Sequence, residues 1–211
     1  MIIKFIECIP VPGKENAFSQ AQEAWKSVSE CNGFISQYGG WDHNSSNAVV
    51  LSLWCDQSSV NEFMLSVHDD IAEKNFQYQT YQQCTVHYLT IEQLISNHKY
   101  INPSEVGFIR IADCKLKQNG QQHFFKDQQS IWNPFMSSCS GMLGGYIAKF
   151  NDEPDRYMVI SFWQDQQSHS QYITNQFQMA RNQVNLDAYV DSLAGYQIPA
   201  VKSWGFTKKI F

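Results

Sequence analysis

His68 is the side chain of this sequence best suited to moving a proton. It stands in the run Phe63-Met64-Leu65-Ser66-Val67-His68-Asp69-Asp70-Ile71. Val60, Phe63, Met64, Val67 and Ile71 recur at intervals of three and four and predict an amphipathic helix. His68 falls on that apolar stripe, so its imidazole is expected to face inward. An inward His that titrates near neutrality can act as a general base or touch a ligand. It can equally be a core residue satisfied by one hydrogen bond, and both readings stay open here. Asp69 and Asp70 follow it, but adjacent helical residues point in different directions, so neither is expected to orient the ring. Around such a base, Trp41, Trp54, Tyr38 and His87 are the candidate walls of a substrate pocket. Trp41 follows the Gly39-Gly40 step, where either a bulge or close approach of a ligand would explain the glycines. The chemistry these residues could do is removal of an acidic or phenolic proton in a cavity that excludes water.

Other chemistries have no foothold in the sequence. There is no P-loop, GxGxxG, HExxH or nucleophile elbow. The six cysteines form no CxxC or other metal-knuckle spacing. They read as small buried hydrophobes of a reducing, cytoplasmic compartment. No metal and no cofactor is expected.

The elements that must position these residues come from a duplication. Cys8 matches Cys114, Phe18 matches Phe124, Trp25 matches Trp132, Gly33 matches Gly141, Tyr38 matches Tyr146 and Trp54 matches Trp163, at separations that drift only from 106 to 109 residues. Rare residues repeated in one order mark a duplicated unit. Each copy reads as strand, helix, strand, strand, helix, strand, the ferredoxin-like βαββαβ order. In the first copy the strands fall at 2–9, 34–41, 48–55 and 83–90, with a helix over 16–31 and a second led by Asp56 as its N-cap. In the second copy strands are expected at 106–114, 142–150, 156–163 and near 200–206, with extra helical turns over 183–195. Pro134 should break the long first helix of this copy near Asn133. Trp25 and Trp132 lie on apolar stripes and are expected in the core.

The predicted fold is therefore α+β, with tandem ferredoxin-like repeats, 1–95 and 106–211. A single unit of this kind leaves one sheet face bare, and exposed apolar sheet is costly, at about 25 cal/mol per Å². The two repeats are expected to pack sheet to sheet as an intramolecular α+β barrel, tandem linkage supplying the effective concentration. Strand parity assigns Val49, Leu51 and Leu53, with Met158, Ile160 and Phe162, to the helix-covered face. Val50, Ser52 and Trp54, with Val159, Ser161 and Trp163, are left for the barrel interior. Lys4 matches Arg110 and Glu7 matches Asp113, and edge exposure is the simplest reading of these conserved charge signs.

Composition narrows the partners. With 43% hydrophobic and 17% charged residues the chain is globular, not disordered. A formal net charge of −5 without a Lys/Arg cluster argues against nucleic acid. No apolar run approaches the ~18 residues of a membrane span, and MIIKFIECIPVPG reads as a first strand, not a signal peptide. A small-molecule ligand is the expected partner, for a monomer with an internal pseudo-dimer or for a homodimer.

The stretches CNGFISQYGGW and AVVLSLWCDQSSVNEFM resemble the antibiotic-biosynthesis-monooxygenase superfamily of dimeric α+β barrels. The shared features are a Gly-aromatic step after the first helix and a strand ending in Trp before a polar turn. The first half is also similar to the YdbC-like proteins of bacilli, at GGWD and FMLSVHDDI. The resemblance implies a cofactor-independent monooxygenase-like activity on a small aromatic or quinol-type molecule. It also admits a non-catalytic protein that binds a small molecule, haem included. The haem-degrading branch carries a Trp and a haem-ligating His at positions that correspond to Phe63 and Glu73, or to Tyr172 and Asn182, and an Asn in strand one that residues 2–9 lack. Haem degradation by that route is not expected. His68 faces Phe177 in the alignment of the copies, which points to the first repeat as the active one.

Overall fold

The computed structural model describes residues 1–96 and 100–209; part of the predicted linker and the last two residues of the predicted second repeat lie outside the described residues. In chain order, β1 (Ile2–Pro10), α1 (Glu15–Glu23), β2 (Phe34–Trp41), β3 (Ala48–Trp54), α2 (Gln57–Ser66), α3 (His68–Lys74) and β4 (Tyr81–Ile95) form the first βαββαβ set. β5 (Phe108–Leu116), α4 (Gln121–Asp127), α5 (Asn133–Ser137), β6 (Met142–Phe150), β7 (Arg156–Trp163), α6 (Gln166–Tyr172), α7 (Gln178–Arg181) and β8 (Val190–Pro199) form the second, and β9 (Phe206–Thr207) follows. The expected α+β class and ferredoxin-like order hold. The last strand of the second set lies at 190–199, not 200–206, and one 3-10 turn (Leu186–Ala188) stands where longer helix was expected.

The chain divides into two compact units. One is built on Met1–Leu89, with Asn102–Ser104 and the tail from Ala200; the other on Glu105–Pro199 with the segment from Thr90. Strand order in the first is β4-β1-β3-β2-β9, and in the second β8-β5-β7-β6. β1 and β5 are therefore interior strands. That overturns edge exposure as the reason for the matched charges: Lys4 is 3% exposed, Asp113 6%, and neither strand has a free edge to offer them.

Registers agree between units. Lys4 lies opposite Ser52 and Arg110 opposite Ser161. The helices start alike too. Asp56 caps α2 by accepting from the Ser59 backbone N–H at 2.8 Å, and Asp165 caps α6 by accepting from Ser168 at 2.7 Å. Gly33 and Gly141, at φ +69° and +82°, turn the chain where a Cβ would strike Ser59 or Ser168.

The helices themselves differ. After α1 the first helix tightens into a 3-10 segment, Ala24–Glu30. After α4 it widens instead into a π turn, Gln128–Trp132, before Pro134 enters α5 at its first turn. The break expected near Asn133 is present and takes this form. A π turn inserts one residue, which matches the drift in copy separation between Phe18/Phe124 and Trp25/Trp132. α6 likewise passes into a π turn, Ile173–Phe177, whereas the equivalent helix of the first unit breaks at Val67 and restarts at His68.

The parity assignment of the sheet is reversed. Val50 packs with Cys8 and Phe18, and Trp54 with Val28, Val60 and Phe63, so the mixed face carries the helices. Val159 and Trp163 pack with Phe124 and Trp132 in the same way. The uniformly apolar set is also buried, Val49, Leu51 and Leu53 at 1%. With both faces buried, hydrophobicity alone cannot say which one the helices cover.

Candidate functional site

In the first unit the helices and the mixed sheet face enclose a cavity of about 80 Å³. Lys4, Cys8, Ser52 and Trp54 supply its sheet side, Gln22, Trp25, Phe63 and His68 its helix side, and Tyr78 and Tyr81 part of its rim. Lys4 is the least expected member. Its ammonium donates to the Met64 thioether at 3.1 Å and lies 5.3 Å from the centre of the Phe63 ring. A sulfur and a ring face are weak partners for a buried cation. Burial pulls the Lys4 pKa down to about 8, so the group still carries its charge at neutral pH.

His68 stands at the other side of this chemistry. Because the helix restarts at His68, the ring can reach its own neighbour: Nδ1 lies 2.8 Å from Asp69 Oδ1. The expectation that no neighbouring carboxylate orients His68 is thus corrected. A carboxylate only accepts, so Nδ1 carries the proton and Nε2 is left with its lone pair. Tyr78 donates to the same Asp69 oxygen at 3.4 Å. The His68 ring packs 5.2 Å from Trp25 and 5.5 Å from Phe63. Burial lowers its pKa, against the pull of Asp69, and the Lys4 charge lowers it further. Both effects favour the neutral imidazole, with Nε2 free to accept a proton.

Trp54 and Ser52 finish the sheet side, the indole N–H donating to Ser52 Oγ at 3.0 Å. Cys8 donates to Cys84, sulfur to sulfur 2.7 Å. That bond raises the Cys8 pKa and lowers that of Cys84.

The other predicted site residues fall elsewhere. Trp41 shares the helix-facing side but packs 5.6 Å from Phe18 and 5.2 Å from Trp204. Gly39 makes room for that Trp204 ring, 3.0 Å from where a Cβ would stand, and the bulge in β2 lies at Phe34/Ser36 instead. Tyr38 lies opposite Leu51, and His87 stacks 6.4 Å from Phe5. Both belong to the opposite sheet face. Of the five residues singled out from sequence, only His68 and Trp54 line one cavity. Trp25, expected as plain core, is half-buried in its wall and donates to Gln77 at 3.4 Å. Gln22 was missed, and Lys4 and Ser52 were read as an edge charge and a barrel-interior residue, although Lys4/Arg110, Gln22/Gln128 and Ser52/Ser161 repeat at the copy spacing.

The second unit holds the equivalent space, about 200 Å³, between Arg110, Ser161, Gln128, Trp132, His169, Tyr172 and their neighbours. Trp163 again donates to the strand serine, Ser161, at 3.0 Å. No metal-sized cluster of three His, Cys, Asp or Glu side chains occurs among the described residues. No helix of theirs is long and apolar enough to cross a membrane.

Residues 2–89 match the family described as a domain of unknown function, DUF4937. The chain is 35% identical over 80 residues to the uncharacterized protein YdbC of Bacillus subtilis, across 36% of this chain and 67% of that protein. A candidate monooxygenase from Fusobacterium nucleatum matches in structure with a TM-score of 0.78 at 12% identity, covering 98% of this chain and 94% of that one. A candidate monooxygenase from Lactobacillus acidophilus gives 0.75 at 13% identity, over 98% and 96%. An anthrone oxidase-like protein gives 0.67 at 12% identity, over 95% and 90%. At such identities the likeness is one of fold. Through its first repeat the chain belongs to the YdbC family, and in fold it is similar to these monooxygenase-like structures.

Proposed function

We propose that the chain is a cofactor-independent, monooxygenase-like enzyme that acts on a small phenolic or quinol-type molecule in the cavity of its first repeat, residues 1–95. The observation that carries this reading is a neutral His68, oriented by Asp69, sharing one apolar cavity with a buried, charged Lys4. Nε2 of His68 takes the phenolic proton, and Lys4 offsets the charge of the phenolate so formed. Ser52 adds a hydroxyl beside it, while Trp25, Trp54 and Phe63 hold the ring and exclude water. The electron-rich phenolate then reacts with dioxygen. A phenol with a free ring C–H plus O₂ gives a quinone plus water, so no external reductant is needed.

The cavity is small for this task, about 80 Å³ against the roughly 150 Å³ that receives benzene in an engineered cavity. Entry of a ring requires the rim to yield, and Tyr78 and Val86 there are 48% and 40% exposed. Neither this cavity nor its counterpart approaches the roughly 300–1,000 Å³ of clefts that bury drug-sized ligands, which favours a small ring over haem.

The test is oxygen consumption by the purified chain with a panel of monocyclic and bicyclic phenols and quinols. Turnover should rise with pH as His68 loses its proton and fall above about 8 as Lys4 loses its own. Absence of oxygen uptake across the panel, or uptake untouched by His68→Ala, refutes the reading.

A further inference from the structure

The second repeat offers an observation that the first does not. Its cavity is lined by two side chains that are each 6% exposed, Gln128 and His169. Gln128 Oε1 and His169 Nε2 are buried and have no hydrogen-bond partner. A buried polar atom left unpaired is costly, and with Tyr189 Oη, also buried and without a partner, such atoms belong to three residues that line one cavity. The walls around them are apolar: Trp132, Phe124, Met136, Tyr172 and Phe177 among others. The His169 ring is fixed against Phe108 at 4.9 Å and Trp163 at 5.3 Å.

A second feature points to the same place. Both π turns among the described residues, Gln128–Trp132 and Ile173–Phe177, border this cavity, and the residues at their ends line it. π turns are rare and recur at functional sites, because the extra residue opens a helix. The corresponding helices of the first repeat have none among the described residues. At about 200 Å³ the space exceeds the first cavity of about 80 Å³.

We infer that the second repeat carries its own binding site, for a neutral one- or two-ring molecule whose N–H or O–H is received by Gln128 and His169. The size follows from the volume, somewhat more than the roughly 150 Å³ that receives benzene. The polarity follows from Oε1 of Gln128, which can only accept. A carboxylate or phosphate would set lone pairs against lone pairs there. Arg110, which also lines the cavity, donates from Nη1 to the backbone carbonyls of Tyr196, at 3.0 Å, and Ile111, while its charge still reaches His169 and helps to lower its pKa. Burial holds His169 neutral, its pKa lowered to about 4. A ligand that fills the cavity must bring the donor itself.

Calorimetric titration of the full chain with indole, a neutral two-ring molecule with one N–H, tests this. Indole should bind, and 1-naphthoate, of similar size but anionic, should bind at least tenfold more weakly. Gln128→Met should lower indole affinity about tenfold without lowering the melting temperature of the unliganded protein, since it removes an unpaired polar atom. His169→Phe gives a second measurement should the first variant not melt cooperatively. No heat with indole, an affinity unchanged by both substitutions, or tighter binding of 1-naphthoate would each overturn the inference.

Discussion

The two helix–sheet cavities of this chain began as copies and now differ in where their polarity lies. The first keeps a lysine on its interior strand and a His–Asp pair at a helix break. The second keeps an arginine bonded to backbone carbonyls, and buries Nε2 of a neutral histidine and Oε1 of a glutamine without partners. The shared parts are those that build walls: Phe18 and Phe124, Trp54 and Trp163 each bonded to a strand serine at 3.0 Å, and the Asp caps of the helices that follow. The comparison teaches that duplication preserved the scaffold and released the helix interiors. A tightened turn and a break shaped one cavity. Two widened turns shaped the other.

Catalysis separates the repeats most sharply. His68→Ala should cut turnover about 10²–10⁴-fold, whereas His169→Phe should leave it within a few-fold, measured as initial rates of oxygen uptake. Equal losses from both would erase the proposed division. Stability comes next. Trp132 is 8% exposed and Trp25 only half-buried, so Trp132→Ala should cost about 3–5 kcal/mol by urea unfolding and Trp25→Ala clearly less.

Acid should find the second repeat first. The folded pKa of His169 is about 4, below its ordinary 6.5. As pH falls the unfolded chain binds the proton before the folded one does. The stability present above pH 6.5 is lost progressively down to about 4, an order-of-magnitude total of about 3 kcal/mol. Denaturation curves from pH 7 to 4 should flatten in His169→Phe. The smallest effects should be the most alike: Asp56→Ala and Asp165→Ala, removing equivalent caps, should each lower the urea midpoint slightly and by a similar amount. A large difference between them would show that the scaffold has diverged as well.

The sequence made the scaffold legible through its rare residues. Matched Trp, Cys and Gly positions revealed the repeat, and Asp56 and Pro134 marked a helix start and a helix break that the structure keeps. The site was harder to see. Hydrophobic parity failed because Val49, Leu51 and Leu53 are as buried as Val50 and Trp54, so the mixed strand face was assigned to the wrong side. Tyr38 and His87, named as pocket walls, lie on the Leu51 face and do not line the helix-side cavity. Lys4 was discounted because a charged residue in a strand usually marks an edge, and only the strand order shows β1 to be interior. The His68–Asp69 contact depends on a helix break at Val67 that no glycine or proline announces. His169 stands at the position of Val60 in the alignment of the copies, so the repeat offers no matching polar residue to mark it.

The most direct measurement is the ionisation state of a chromogenic phenol, such as 4-nitrophenol, bound to the full chain, read from its absorbance across a pH titration. A bound phenol that ionises at lower pH than in free solution, with the shift lost in Lys4→Met and reduced in His68→Ala, is the result expected of a base and a cation sharing the first cavity. A bound phenol that titrates as it does in water, or a shift that survives both substitutions, contradicts it.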